Sequence, residues 1–183
     1  AELRIALNNI APEGKTFVMD DPAIWSVPMT ECGMDCRVVQ PLVGTVTLLP
    51  QEDGCLVRGN LKGEVVVPCN RCAEDAHLII DSSFDRPQAD DETEPRNGKE
   101  KPFDSEADEL IVKLVDGAPE INLAGLLWEE FVLALPVRPL CKPDCKGLCP
   151  DCGKNLNEGS CSCVRDEGDP RLAALRGLKV KKN

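Results

Sequence analysis

From Arg37 onward the chain alternates apolar with polar side chains, the period-two signature of half-buried β-strands. Val43 to Leu48 leads into a turn at Pro50–Gly54, Cys55 to Val67 resumes the alternation, and His77 to Phe84 follows a second turn at Cys69–Cys72. Three such runs joined by short turns predict an antiparallel meander. Gly44, Gly59 and Gly63 fall inside these runs and predict bulges or sharp bends, as a curved sheet requires. Leu3–Leu7 and Thr16–Met19 flank a Pro-Glu-Gly turn and read as two short strands able to join the meander and close it toward a small barrel. Residues 20–37 carry Pro22 and Pro28 as breakers and read as irregular.

The period then changes. Glu109 to Asp116 gives one more strand, and Gly117-Ala118-Pro119 turns the chain. Asn122 is a good N-cap for a helix from Leu123 to about Leu135, with Leu123, Leu126, Leu127, Phe131 and Ala134 on one side and Glu129 and Glu130 near the other. Pro136 stops it. Asp85 to Asp108 is charged, Pro-rich and poor in aliphatics, and reads as a mobile acidic linker. Asp169-Pro170 is a helix start, followed by Leu172, Leu175 and Leu178 at helical spacing. The expected fold is therefore β-rich α+β: a body over 1–140 with its linker at 85–108, then a cysteine-rich segment and a basic helix over 141–183.

With 183 residues the chain can bury one good core plus an appendage. Four Phe, two Trp and no Tyr make that core aliphatic and leave few rings for stacking on bases. No run approaches the ~18 apolar residues of a membrane span. A net charge of −11 repels a phosphate backbone on average. The charge is uneven: residues 85–130 hold 14 acidic and 5 basic groups, whereas Arg171, Arg176, Lys179, Lys181 and Lys182 make the last fourteen residues purely basic. That tail is the candidate contact for RNA or a partner; its plainer reading is a solvated helix end whose cations suit the helix dipole.

Cysteine supplies the chemistry. Six of the eleven cysteines lie between Cys141 and Cys163, among Pro, Gly and Asn, where no apolar period exists to fold the segment. Cys149-Pro-Asp-Cys152-Gly153 places two thiolates within reach of one tetrahedral ion, and Gly153 permits the φ > 0 turn that aims backbone N–H groups at the sulfurs. Cys161 and Cys163 can complete a four-thiolate set. Cys141 and Cys145 are close enough in sequence to replace either of them, or to belong to a second ion. Soft donors in tetrahedral number favour zinc. An odd cysteine count and no apolar leader before residue 1 argue for a reducing compartment and for metal over disulfides. A structural zinc site supplies about 10–16 kcal/mol to its own segment.

Cys69-Asn-Arg-Cys72 admits three readings. A redox dithiol normally opens a helix in a βαβ unit, which is missing here. The zinc-deaminase signature lacks its His-x-Glu, since His77 is followed by Leu78 and Ile79. What remains is a zinc half-site or a structural pair; joined with Cys141 and Cys145 it would make a second four-sulfur site and clip the tail onto the sheet. Cys32 and Cys36 read as ordinary loop or strand thiols. His77 is the only histidine, which excludes sites needing two, and it reads as a hydrogen-bonded strand residue. No phosphate-binding glycine loop is present, and Glu129-Glu130 and Asp90-Asp91 read as solvated charge.

The Cys69-Asn-Arg-Cys72 turn, the helix ending in Leu-Leu-Trp-Glu-Glu-Phe-Val-Leu-Ala-Leu-Pro, the Cys145–Asn157 knuckle and the Asp169–Lys179 tail, in this order, resemble the YceD family of large ribosomal RNA subunit accumulation proteins, over roughly Gly54 to Lys179. By that resemblance Cys69 and Cys72 match a recurring pair, and Cys141–Cys163 match an extension that some members carry. The resemblance implies a cytoplasmic, non-enzymatic factor supporting synthesis, processing or stability of large-subunit ribosomal RNA; four closing sulfurs make the zinc structural, and no small-molecule substrate is expected. An acidic body adds the expectation of a basic partner such as a ribosomal protein, with RNA available to the basic tail. The rival expectation is a thiol–disulfide redox protein or sensor working through Cys69 and Cys72.

Overall fold

The computed structural model describes residues 3–51, 54–89, 112–115 and 118–163. Its centre is the expected meander: β3 (Arg37–Gln51), β4 (Gly54–Pro68) and β5 (Asp75–Ala89), each 15 residues long and antiparallel to the next. Alternation decides what faces inward. Leu42, Val46 and Leu48 of β3, Val57 and Leu61 of β4 and Ile80 of β5 are buried in one core. Burial of this size, at ~25 cal/mol per Å² of apolar surface, is what fixes the register.

The two N-terminal strands are present but part company. β2 (Lys15–Met19) pairs with β3 over Gly44–Leu48 and completes a four-stranded sheet ordered β2-β3-β4-β5. β1 (Arg4–Ala6) instead pairs with β7 (Ala118–Asn122), which also pairs with β6 (Val112–Val115), giving a separate three-stranded sheet ordered β1-β7-β6. Two sheets thus replace the single closing sheet expected from the sequence. Ala118 and Pro119, expected in the turn, lie within β7 instead.

Between the sheets runs α2 (Leu123–Ala134), which starts and stops where its residues dictate. The Asn122 side chain accepts from the Gly125 N–H at 3.2 Å, and the chain is extended again at Leu135, before Pro136. Leu123, Leu126, Leu127 and Phe131 are buried against both sheets. Gly44 is what lets the helix approach: a Cβ there would sit 2.5 Å from the Leu127 side chain. Gly59 similarly makes room for the Phe84 ring, 2.3 Å from where its Cβ would be. These two glycines therefore sit in regular ladder and serve close packing. The register shifts fall instead between Val38 and Val43, opposite Gly63.

Three sequence expectations need correction. Residues 23–31, read as irregular, form α1 (Ala23–Glu31), with Pro28 inside it. Pro28 removes one helix hydrogen bond, but Ile24, Trp25 and Met29 bury one side of the helix in the core, and the Trp25 indole N–H donates to the Leu42 carbonyl at 3.1 Å. Tertiary packing outweighs the local penalty. Second, Glu130 is not solvated charge: it is buried, 3.3 Å from Arg86, and burial holds its carboxyl pKa above the usual range against the pull of that guanidinium. Arg86 also forks onto Glu129 at 2.9 and 3.0 Å. Third, residues 85–89 of the expected linker belong to β5. The rest of that linker, and the expected C-terminal helix, lie outside the described residues. No helix among the described residues is long and apolar enough to cross a membrane.

Candidate metal centre

From Pro136 to Cys163 the chain has almost no regular structure, and sulfur takes over its organisation. Eight cysteines gather into two sets of four. Cys69, Cys72, Cys141 and Cys145 form one, and Cys149, Cys152, Cys161 and Cys163 the other, with all sulfurs of a set within 4.8 Å of one another. Measured contacts are 3.8 Å for Cys69–Cys145, 3.5 Å for Cys72–Cys141 and 3.4 Å for Cys149–Cys161. A disulfide would need about 2.0 Å. Four ligands about 2.3 Å from a tetrahedral ion stand roughly 3.8 Å apart, so each set has the dimensions of a four-thiolate metal site.

The first set is built by two segments far apart in sequence. The turn between β4 and β5 supplies Cys69 and Cys72; it closes through Cys69 N–H to Glu74 O at 2.8 Å and carries Ala73 at φ 60°. The loop after α2 supplies Cys141 and Cys145. Hydrogen bonds lock the two segments: backbone Asn70 N–H to Pro139 O at 2.8 Å and Leu148 N–H to Arg71 O at 3.0 Å, and the Arg71 guanidinium to Cys145 O at 2.7 Å. Gly147, at φ 77°, lies against Arg71, where a Cβ would come within 3.0 Å of its carbonyl. Cys69, Cys72 and Cys145 are buried in a small apolar cluster with Val67 and Ala76.

The second set is local. Cys149 and Cys152 lie on a tight turn closed by Gly153 N–H to Cys149 O at 2.9 Å, with Gly153 at φ 73° as its sequence position predicts. Cys149 is buried, Cys161 and Cys163 are half-buried, and Cys152 is exposed. One side chain joins the sets. Asn157, on the loop between Cys152 and Cys161, donates to the Cys145 sulfur at 3.4 Å while its own oxygen accepts from Lys146 N–H at 2.9 Å. Nothing in the spacing of the cysteines announced Asn157; the loop carries two amides, Asn155 and Asn157, and only the fold shows which one reaches a sulfur.

Within each set one thiol ionises readily and another resists. Burial opposes ionisation of Cys69, but N–H groups of Cys141, Arg71 and Cys72 bring its pKa down to about 6. Burial and the neighbouring sulfurs push Cys141 up to about 12. In the second set, N–H groups of Cys152 and Asp151 lower Cys149 to about 7, while the sulfur of Cys152, then burial, push Cys163 up to about 12. Successive thiolates repel, and a divalent cation is what allows four to coexist.

Among other sequence candidates, Cys32 is exposed at the end of α1, and Cys36, half-buried before β3, packs against the apolar cluster around the first set; neither belongs to a four-sulfur set. His77 Nδ1 lies 2.8 Å from Glu64 Oε1, a strand-to-strand contact consistent with the structural role expected of it. Arg171, Arg176, Lys179, Lys181 and Lys182 lie outside the described residues.

Comparison with known proteins gives one consistent result. The family model for large ribosomal RNA subunit accumulation protein YceD matches residues 57–179, a stretch that contains both cysteine sets. A chloroplastic protein of Arabidopsis thaliana named large ribosomal RNA subunit accumulation protein YCED homolog 1 is 24% identical over 156 residues, which is 76% of this chain and 49% of the relative. Its Zea mays namesake is 25% identical over 157 residues, 75% of this chain and 53% of the relative. An uncharacterized protein of Mycobacterium tuberculosis is 32% identical over 129 residues, 68% of this chain and 55% of the relative. The chain thus spans about half the length of the curated relatives it matches. No solved structure matches it significantly.

Proposed function

The chain belongs to the YceD family, and from that premise we propose that it is a non-enzymatic factor for accumulation of large-subunit ribosomal RNA, its C-terminal segment held by two structural zinc ions. The observation that carries the reading is the family match running across both four-sulfur sets. Four thiolates close the coordination sphere of each ion and leave no position for a substrate or an activated water, so the metal organises and does not turn over. Zinc at the first set clips the loop after α2 onto the β4–β5 turn; zinc at the second folds a segment that has no core of its own.

The working surface on this reading is electrostatic. A net charge of −11 favours a basic ribosomal protein or large-subunit precursor as partner, in the cytoplasm, with the basic residues beyond 170 available to RNA. Depleting the protein should lower large-subunit ribosomal RNA relative to small-subunit RNA, and the tagged protein should sediment with large-subunit precursors at low salt and leave them as salt rises. Unchanged RNA ratios on depletion, with no co-sedimentation at any salt, would sink the reading. A redox role for Cys69 and Cys72 is disfavoured by their burial, since a cycling dithiol needs an accessible thiolate.

A further inference from the structure

A groove of about 480 Å³ opens between α1 and the first half of β3. Trp25 and Leu42, each 2% exposed, form its floor, and the indole N–H is already committed to the Leu42 carbonyl. Met29 and Met34 line one side and Val38 and Val39, 45% and 50% exposed, the other. Such a volume lies within the ordinary range for a binding cleft, and methionine walls adapt to the shape of what enters. Beyond Gly44 toward its start, β3 has no strand partner opposite β4 among the described residues.

One carboxylate, Asp20, lines the groove, and Glu31 and Asp35 adjoin its lining residues in sequence. Between Thr16 and Cys36 the chain carries Asp20, Asp21, Glu31 and Asp35 and no lysine or arginine. Asp20, Glu31 and Asp35 are exposed and form no ion pair among the described residues. The next cation, Arg37, is tied to Asp75 at 2.6 Å and feels the Asp35 carboxylate as well. An apolar floor flanked by these carboxylates disfavours nucleic acid and complements a cationic segment that carries bulky apolar groups. All of these residues precede residue 57, where the family match begins, so the groove is a feature separate from the matched region.

We propose that this groove docks a short basic segment of a partner protein, with one or two large apolar side chains over Trp25 and lysines or arginines against Asp20, Glu31 and Asp35. Apolar anchors supply the dwell time and the carboxylates supply attraction and orientation. Nothing in it depends on ribosomal RNA.

The test uses the zinc-loaded full chain and a fluorescent amidated peptide in which two phenylalanines are flanked by lysines, read by anisotropy. The basic peptide should bind about tenfold or more tightly than its glutamate-for-lysine counterpart, and the margin should shrink as salt rises. The exposed triple variant D20K/E31K/D35K should lose about tenfold in affinity, and Val39→Asp should lose a comparable factor at any salt, both with unchanged circular dichroism. Equal binding of the two peptides, or undiminished binding by both variants, would overturn the proposal. Failure of wild type to bind the probe would overturn it too. If a peptide of residues 170–183 bound the groove more tightly than the probe, the occupant would be the chain's own tail, and the partner would be refuted. Because the readout is peptide binding, its failure would leave co-sedimentation with large-subunit precursors, and hence the ribosomal reading, untouched.

Discussion

The two cysteine sets share ligand type, ligand number and sulfur spacing, yet they occupy opposite positions in the architecture. The first joins the β4–β5 turn to a loop some seventy residues later and is buried in its own apolar cluster. The second closes a loop of fifteen residues on itself, with Cys152 exposed. A ligand set that spans distant segments acts as a tertiary clasp, while a set contained in one loop acts as a local fold. The same chemistry therefore carries different amounts of global stability.

The strongest way to break this contrast is to remove one ligand from each set. Cys145→Ser should lower the metal content from two ions to one, free the loop after α2, and cost on the order of 4 kcal/mol in denaturant unfolding. Cys161→Ser should lose one ion as well but leave unfolding of the β-body within about 1 kcal/mol of wild type. Equal losses would mean that the second set is not merely local.

Metal removal sharpens the contrast by rate. Under a chelator with iodoacetamide present, Cys152, Cys161 and Cys163 should be alkylated first and Cys69, Cys72 and Cys145 about tenfold or more slowly, as mapped by mass spectrometry, because the clasp must open a packed cluster to release its ion. Simultaneous labelling of both sets would contradict the hierarchy.

The smallest effect concerns the side chain that reaches from the second loop to a sulfur of the first set. The Asn157 side chain is the chief cause that lowers the Cys145 pKa, ahead of the opposing effect of burial. Asn157→Ala should cost about 1 kcal/mol in stability and 10- to 100-fold in metal affinity at the first set. The sign with pH follows: without the amide the Cys145 thiol ionises less readily, protons compete better with metal, and on acidification the first set should release its ion at a higher pH than in wild type. A variant whose release curve coincides with wild type would show that the contact is incidental.

Parts of the molecule were legible without coordinates because their causes are local. Alternation from Arg37 onward placed the meander, Asn122 and Pro136 bounded α2, and Gly153 after the Cys149–Cys152 pair marked the tight turn. What failed were inferences that needed to know what lies opposite. Pro28 was read as a breaker because nothing in the sequence says that Trp25 will be buried against Leu42 and Phe131. Glu130 was read as surface because its burial depends on Arg86 arriving from β5. Gly44 and Gly59 were read as bends, whereas each answers to a side chain packed over it, Leu127 and Phe84.

By itself the sequence determined the kinds of element, the identity of the sulfur donors and the family, since period, capping and ligand type are written in neighbouring residues. Only the tertiary structure decided that β1 leaves the main sheet for β7, that Cys141 and Cys145 turn back to Cys69 and Cys72 instead of joining Cys149, and that an apolar groove opens between α1 and β3 beside Asp20. These are pairings between distant segments. They are chosen by the burial and contact geometry of the whole chain, and no local pattern encodes them.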